Sequence, residues 1–389
     1  MSLLADANVV LGVSGSIAAV KTVELAHELR REGATVRAVM TDSAQGIIHP
    51  WALEFATETD VVTEITGRVE HVELFGDDGW ADVLLLAPAT ANTVGKVAAA
   101  VDDTPVTTCA TVALGQGVPV VVAPAMHEPM YDHPGVLAAL DTLESWGVAF
   151  VDPRVEEGKA KIATEEAIVT ETARAVPPSP LADDRVVVTS GATSEPLDPV
   201  RVLTNRSSGR TGRAIARACY ARGADVTLLH DGPDVPYATV ERVESAAEMT
   251  DAAVAAAGDA DALVSAAAIG DYTLPESDEK IRSGEALTLE LEPTPKLLDS
   301  VREVAPDLTL VGFKLETEGD DETLVAKARE RLAETDLAFV VANRADALAG
   351  AETRALVVQP DATEEYAGSK AGLGLRVAEN VATAIGEKQ

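Results

Sequence analysis

The chain has 389 residues, with 64 Asp or Glu against 31 Lys or Arg and a formal charge of −33 at neutral pH. Such a balance excludes nucleic acid and anionic membrane surfaces as partners, because both are repelled. The length exceeds one ordinary core and suits two α/β domains, and abundant Ala and Val with few aromatics supply small side chains for both. The acid is spread along the chain rather than gathered in a tail, and apolar runs interrupt it, so the charge reads as a solvated surface adapted to a salt-rich cytoplasm where screening removes most self-repulsion. Only ten residues are Lys, which makes Lys159, Lys161, Lys280, Lys296 and Lys314 informative, although each is also readable as a plain surface cation. Cys109 and Cys219 fall in different halves, in apolar helical text, with neither disulfide nor zinc spacing. The N-terminal text lacks the basic segment and long apolar run of a secretory leader, and no stretch approaches a membrane span, so a cytoplasmic protein is expected.

In chain order, residues 9–13 form an apolar run, a helical stretch covers 17–30, and 35–40 is the next strand. Residues 82–87 (DVLLLA) and 118–123 (VPVVVA) are continuous apolar runs, as expected of strands buried on both faces of a parallel sheet. Helical text lies near 93–101 and 135–146, and 148–151 makes another strand. Three prolines and an acidic end mark 176–184 as a linker. The pattern then restarts with a strand at 186–189, a helix at 211–222, and strands at 226–229, 261–268, 308–313, 337–342 and 356–358. Both halves therefore read as doubly wound, Rossmann-like α/β domains, whose ligands gather at the carboxyl ends of strands.

The residues after those strands carry the chemistry. The first strand runs into Gly12-Val13-Ser14-Gly15-Ser16-Ile17, where glycines and a hydroxyl suit a phosphate at a helix start, or simply a tight turn. The spacing is not the dinucleotide G-x-G-x-x-G. The next ends are Met40-Thr41-Asp42-Ser43, then Ala89-Thr90-Ala91-Asn92-Thr93, then Ala125-Met126-His127. Thr, Asn and Pro also start helices for structural reasons, but three such ends in succession point to a ligand.

This text, over roughly residues 8–173, resembles the flavin-dependent cysteine decarboxylase family in its Gly-Ser-Ile-Ala turn, Pro-Ala-Thr-Ala-Asn-Thr segment and Pro-Ala-Met-x-x-x-Met. The resemblance implies a flavodoxin-like flavoprotein domain over 1–175 that binds FMN through Gly15, Ser16, Ile17, Thr41, Ser43, Thr90, Asn92, Thr93 and Met126. It implies oxidation of the substrate's thiol end, loss of carbon dioxide and return of the hydride from the flavin. His71 holds the place of the family's histidine before Ala-Asp-Val-Leu-Leu-Leu-Ala-Pro-Ala, and would act as general base or polariser. His127 stands where the family usually has Asn for the substrate carboxylate. The flap text 154–162 lacks the bacterial proton-donating Cys, leaving Lys159 or Lys161 to cover that site.

The second half carries Thr193-Ser194-Glu195-Pro196-Leu197-Asp198-Pro199-Val200-Arg201 and then Asn205-Arg206-Ser207-Ser208-Gly209, a polar run that fits anion binding. It resembles the phosphopantothenate–cysteine ligase family from about residue 183 onward, with Ala267-Ala268-Ile269-Gly270-Asp271-Tyr272, Lys280-Ile281, Gly312-Phe313 and Ala342-Asn343 following in order. The resemblance implies a ligase domain over 185–389. Its carboxylate substrate would attack the α-phosphate of a nucleotide, usually CTP, with Mg²⁺ bridging the phosphates, before cysteine displaces the nucleotide. Asn205 would bind the acyl-nucleotide, Arg206 the substrate phosphate or intermediate, and Lys280 the polyphosphate charge. Asp271 and Phe313 would contact the nucleotide, while Ser265, Ala266, Ala267 and Pro295, Lys296, Leu297, Leu298 line the base pocket. The family typically has Pro-Asp where this chain has Pro295-Lys296.

Together the resemblances imply a bifunctional enzyme of coenzyme A biosynthesis, with the acidic surface of a halophile-like archaeal member. Its substrates would be phosphopantothenate, cysteine and CTP, in a trimer-based homo-oligomer. The competing readings are a first domain that binds flavin but is regulatory or structural, and an unrelated two-domain oxidoreductase.

Overall fold

The computed structural model describes residues 2–156, 159–282, 284, 286–317, 319–344 and 352–388; at Val155, Glu156, Lys159 and Ala160 only the backbone is described. The chain divides into two compact units, Ser2–Pro178 and Ser179–Gln389.

The first unit is built on a parallel sheet of five strands in the order Thr35–Met40, Asn8–Val13, Val83–Ala89, Val120–Pro124, Ala149–Phe150. That is the 2-1-3-4-5 winding of flavodoxin-like proteins. Every residue of Val83–Ala89 and Val120–Pro124 is buried, because helices cover both faces. Thr22–Arg31 follows a short 3₁₀ turn, Ile17–Lys21, so the helix expected from residue 17 begins as a tighter coil. The helix expected near 93–101 runs over Ala91–Ala98 and stops where the chain turns through Ala100 at φ 51°. The helical text read around Cys109 is the helix Pro105–Gln116. Thr104 and Thr107 cap each other's backbone, Pro105 takes the first position, and Gly117 ends it at φ 71°. Cys109 lies inside this helix, fully buried, its thiol pushed up to about 12 by desolvation.

The second unit carries an eight-stranded sheet in the order Thr239–Glu241, Asp225–Leu229, Arg185–Thr189, Ala262–Ser265, Thr309–Glu316, Phe339–Arg344, Glu352–Val358, Thr363–Ser369. The first six are parallel in the 3-2-1-4-5-6 winding of nucleotide-binding folds. The last two are antiparallel, closed by the short turn in which Gln359 N donates to Ala362 O at 2.9 Å. So short a link permits only antiparallel pairing, and the strand expected at 356–358 is one arm of that hairpin. The helix Arg210–Ala221 packs on Lys370–Gly386, where a Cβ on Gly374 would lie 2.5 Å from Ala214 O. At the opposite edge from the ligand loops, Arg302 donates to the carbonyls of Ala305, Pro306, Leu308, Thr335 and Asp336, closing the ends of the helices Leu297–Val304 and Asp321–Thr335.

Candidate active sites

In the 2-1-3-4-5 winding the ligand crevice opens between the carboxyl ends of the first and third strands. Ser14 sits there, buried. Its hydroxyl donates to Pro88 O at 2.6 Å and accepts from Thr90 N at 3.1 Å, joining the two strand ends. Ser16 caps the 3₁₀ turn, accepting from Ala18 N, and donates to Ala125 O at 3.3 Å, which brings in the fourth strand. Thr41 accepts from Ala44 N at 3.2 Å and lies 3.0 Å from the Ser43 hydroxyl. A Cβ on Gly15 would stand 2.4 Å from Ser43 Oγ, so only glycine lets this turn close on its neighbour. Thr90 caps Ala91–Ala98 by accepting from Thr93 N at 3.2 Å, and Thr93 Oγ1 is 3.1 Å away. Gly15, Ser16, Thr41, Ser43, Thr90 and Thr93 are thus gathered around adjacent strand ends, with Asn92 and Ile17 exposed beside them. Ser14 was legible in the same turn text but was not singled out there.

His71 is the second residue of the short helix Glu70–Phe75, which follows Val69 at φ 51°. Its Nδ1 is buried and has no hydrogen-bond partner among the described residues. Beside it, Glu70 accepts from both the hydroxyl and the amide of Thr66, and these bonds hold its carboxyl down at about 2. No hydrogen bond among the described residues joins His71 to the crevice hydroxyls. Met126–His127 pairs antiparallel with Lys159–Lys161, which pairs in turn with Arg154–Glu156. This flap sets His127, exposed, opposite Lys159, and half-buried Met126 opposite Ala160. Glu157 and Gly158 lie outside the described residues, as does the Lys159 side chain.

In the second unit the crevice lies between the strands Arg185–Thr189 and Ala262–Ser265. Thr189 Oγ1 accepts from Ala267 N at 3.0 Å, and Gly191 O from Ala268 N at 2.8 Å. Asn205 is exposed and its Nδ2 donates to Ala268 O at 2.9 Å, so the polar loop and the fourth strand end meet. A Cβ on Gly212 would lie 2.7 Å from Thr189 O, so the start of the helix Arg210–Ala221 abuts the first strand. Ser265 is buried and is followed by half-buried Ala266 and Ala267. Asp271 pairs with Lys296 at 2.9 Å, both exposed, and Thr294 anchors this corner to Gly270 O and to the Asp271 backbone. Pro295 is exposed, Leu297 buried, and Leu298 and Phe313 half-buried. Lys280 and Arg206 are exposed and pair with no described residue.

Three groups here escaped the sequence reading. Glu195, buried, accepts from Ala246 N at 2.9 Å and from Thr273 Oγ1 at 2.7 Å. Asp198, buried, is bonded by Arg201. Glu316 lies between Lys314 at 3.1 Å and Lys327 at 2.7 Å, and these bonds hold its carboxyl below the usual range. The scarcity of lysine flagged Lys314; nothing in the text flagged Lys327. Asn343, at the end of its strand, keeps a buried Oδ1 with no described partner. Among the described residues no group of three or more His, Cys, Asp or Glu could hold a metal, and no helix is long and apolar enough to cross a membrane.

Two nucleotide-type windings in one chain define a two-domain α/β protein of the doubly wound class. Residues 2–176 match the family described as Flavoprotein, and residues 181–385 the DNA/pantothenate metabolism flavoprotein C-terminal domain. A relative from Thermococcus kodakarensis, the Coenzyme A biosynthesis bifunctional protein CoaBC, is 47% identical over 364 residues, covering 92% of this chain and 90% of its own. The proteins of the same name from Methanocaldococcus jannaschii and Bacillus subtilis are 36% and 34% identical, each over 88% of this chain and 84% and 86% of their own. The chain belongs to the family of coenzyme A biosynthesis bifunctional proteins. It is a bifunctional enzyme, with a flavoprotein decarboxylase half and a ligase half.

Proposed function

We propose that the second unit joins 4′-phosphopantothenate to cysteine at the expense of CTP, and that the first unit decarboxylates the product to 4′-phosphopantetheine with FMN. The observation that supports the reading is a partial coincidence of motif and topology: Ser14 and Ser16 bond to the third and fourth strand ends of the first winding, and Thr189 and Asn205 bond to Ala267 and Ala268 across the switch crevice of the second. In the ligase half, the carboxylate attacks the α-phosphate, pyrophosphate leaves, and the cysteine amine then displaces CMP to form the amide. A weak nucleophile and a polyphosphate leaving group require fixed donors and cations. Asn205 meets the acyl-nucleotide, Arg206 the substrate phosphate, and Lys280 the polyphosphate. Asp271, Lys296 and Phe313, with 265–267 and 295–298, frame the nucleotide. Mg²⁺, which keeps most of its ligands from water and phosphate, needs no protein cage here.

In the decarboxylase half, the crevice offers hydroxyls and backbone amides, a donor set that fits the phosphate and ring edges of FMN. FMN supplies the reversible two-electron oxidation that makes the carboxylate a leaving group. Gly15, Ser16, Ile17, Thr41, Ser43, Thr90, Asn92, Thr93 and Met126 hold and orient it. The buried, unpartnered Nδ1 of His71 is available to take or polarise a substrate proton. His127 donates to the substrate carboxylate, and Lys159 or Lys161 of the flap takes the part of the absent proton-donating Cys. The chain works in the cytoplasm as a trimer-based homo-oligomer.

The test supplies phosphopantothenate, cysteine, CTP and Mg²⁺ to FMN-loaded enzyme in high salt and follows products by mass spectrometry. Phosphopantetheine is the expected end product. An end product of phosphopantothenoylcysteine alone assigns the flavin unit a structural or regulatory role.

A further inference from the structure

Lys280 lies in a segment with little burial of its own, where Asp278, Glu279, Lys280 and Arg282 are exposed. Nevertheless three hydrogen bonds tie its flanks to one hairpin, Ser194–Asp198 with Arg201–Thr204. Ser277 N donates to Leu197 O at 3.1 Å, Ile281 N donates to Asp198 Oδ2 at 3.1 Å, and Arg201 Nη2 donates to Ile281 O at 2.7 Å. The segment is therefore an arch standing on the hairpin, with Lys280 one residue from its firmer foot.

That foot is a built device. Asp198 is followed by Pro199, and its Oδ1 accepts from Val200 N at 2.9 Å and Arg201 N at 3.0 Å, an Asx turn that fixes its own carboxylate. Its Oδ2 accepts from Arg201 Nε at 2.9 Å, from Arg201 Nη2, and from Ile281 N. The side chain is fully buried, and its acceptor sites face donors alone. Arg201 holds the carboxyl well below the ordinary carboxylate range, so it stays charged. Arg201 spans from that carboxylate to the Ile281 carbonyl, which a planar fork does and a lysine point charge does not. Both backbone groups of Ile281 are consequently clasped by one ion pair.

We propose that Asp198, acting through Arg201, is a positioning residue of the ligase step, and that the clasp on Ile281 fixes Lys280 where polyphosphate charge develops. The proposal rests on the assignment of Lys280 made above. Fixing a cation in advance matters because a misplacement of about 1 Å costs on the order of 100-fold in rate. Without the clasp the arch loses two of its three ties.

The test compares Asp198→Asn, Arg201→Lys, Lys280→Gln and the double variant Asp198→Asn/Lys280→Gln in the full chain at high salt. The measurements are kcat and KM for pyrophosphate release from CTP, the melting curve, and hydrogen exchange across 276–282. Asparagine places an amide donor among donors, so Asp198→Asn is expected to lower kcat about 10- to 100-fold, with a smaller change in KM for CTP and faster exchange of the Ile281 amide. Added to Lys280→Gln, it is expected to cost little more, because the two act in one chain of effect. Should Asp198→Asn fail to fold, Arg201→Lys carries the same expectations. Wild-type kcat and unchanged exchange in both clasp variants, beside an inactive Lys280→Gln, overturn the clasp alone. Full additivity does the same. An active Lys280→Gln overturns the assignment of Lys280, and the proposal with it.

Discussion

The two units present opposite side chains at equivalent places in related windings. The first crevice is edged by Ser14, Ser16, Thr41, Ser43, Thr90 and Thr93; Ser14 and Ser16 bond to neighbouring strand ends, and the threonines bond within their own turns. In the second unit, Arg and Lys near the motif text are held by carboxylates: Arg201 by Asp198, Lys296 by Asp271, and Lys314 with Lys327 by Glu316. A bound redox cofactor brings its own chemistry, and neutral donors suffice to orient it. A polyphosphate brings charge into a protein that already carries −33, and local cations must offset it. On the proposed reading that part would fall to Lys280 and Arg206, which are exposed and pair with no described residue.

That division of labour is open to direct attack. His71→Asn is expected to slow decarboxylation about 10²- to 10⁴-fold, the usual scale for a lost general acid or base, while phosphopantothenoylcysteine still forms at the wild-type rate. Product mass spectra with each substrate supplied separately check it, and a parallel fall in ligation breaks the separation of roles. Next in size is Gly374→Ala. Its new methyl would meet the Ala214 carbonyl at 2.5 Å, and backbone cannot step aside as a side chain tip can. A loss of about 1–3 kcal/mol is expected, read by urea titration of the ligase transition, with the flavin fluorescence transition unmoved.

Both windings were legible because buried parallel strands are continuous apolar runs: 82–87 and 118–123 announced Val83–Ala89 and Val120–Pro124. Helix bounds were less legible. The text around Cys109 reads as helical, but Pro105–Gln116 is written with Val and Thr, which favour strands, and its ends rest on the Thr104 cap and the Gly117 stop. Asp321–Thr335 is charged on most of its surface and buries little beyond Leu324 and Ala328, leaving no clear apolar stripe. The site text showed which loops carry donors, since glycines and hydroxyls cluster after the strands. It did not show the supporting carboxylates. Asp198 and Glu195 sit inside the quoted motif, but their burial and partners 83 and 51 residues away exist only in the folded chain.

A smaller effect sharpens the comparison at a cap. Thr90→Ala removes the bond from Thr93 N, at a cost of about 1 kcal/mol, and keeps the Ser14 link, which accepts from the Thr90 backbone. A lower midpoint of the flavin-linked transition, with ligation unchanged, is the expected outcome in urea.

The smallest effect concerns His230, which follows the strand Asp225–Leu229 in the ligase unit. It is buried, and its Nε2 has no partner among the described residues. Burial first, then the positive charge of Arg213, lowers its pKa from the ordinary histidine value. The unfolded chain therefore binds a proton that the folded chain refuses. The stability this group contributes is complete above about pH 6.5 and is lost as pH falls toward the depressed folded value. Asp184 and Glu244 have values raised by burial and favour the fold on acidification, opposing the His230 contribution. Between pH 7 and 5.5 the ligase transition is accordingly expected to weaken on the acid side. His230→Phe keeps a ring against Gly232 but removes the titrating group, and is expected to flatten that slope by up to one proton's worth, about 1.4 kcal/mol per pH unit. Urea midpoints across that range decide it: an equal slope in the variant assigns the acid sensitivity to other groups and leaves His230 a packing residue.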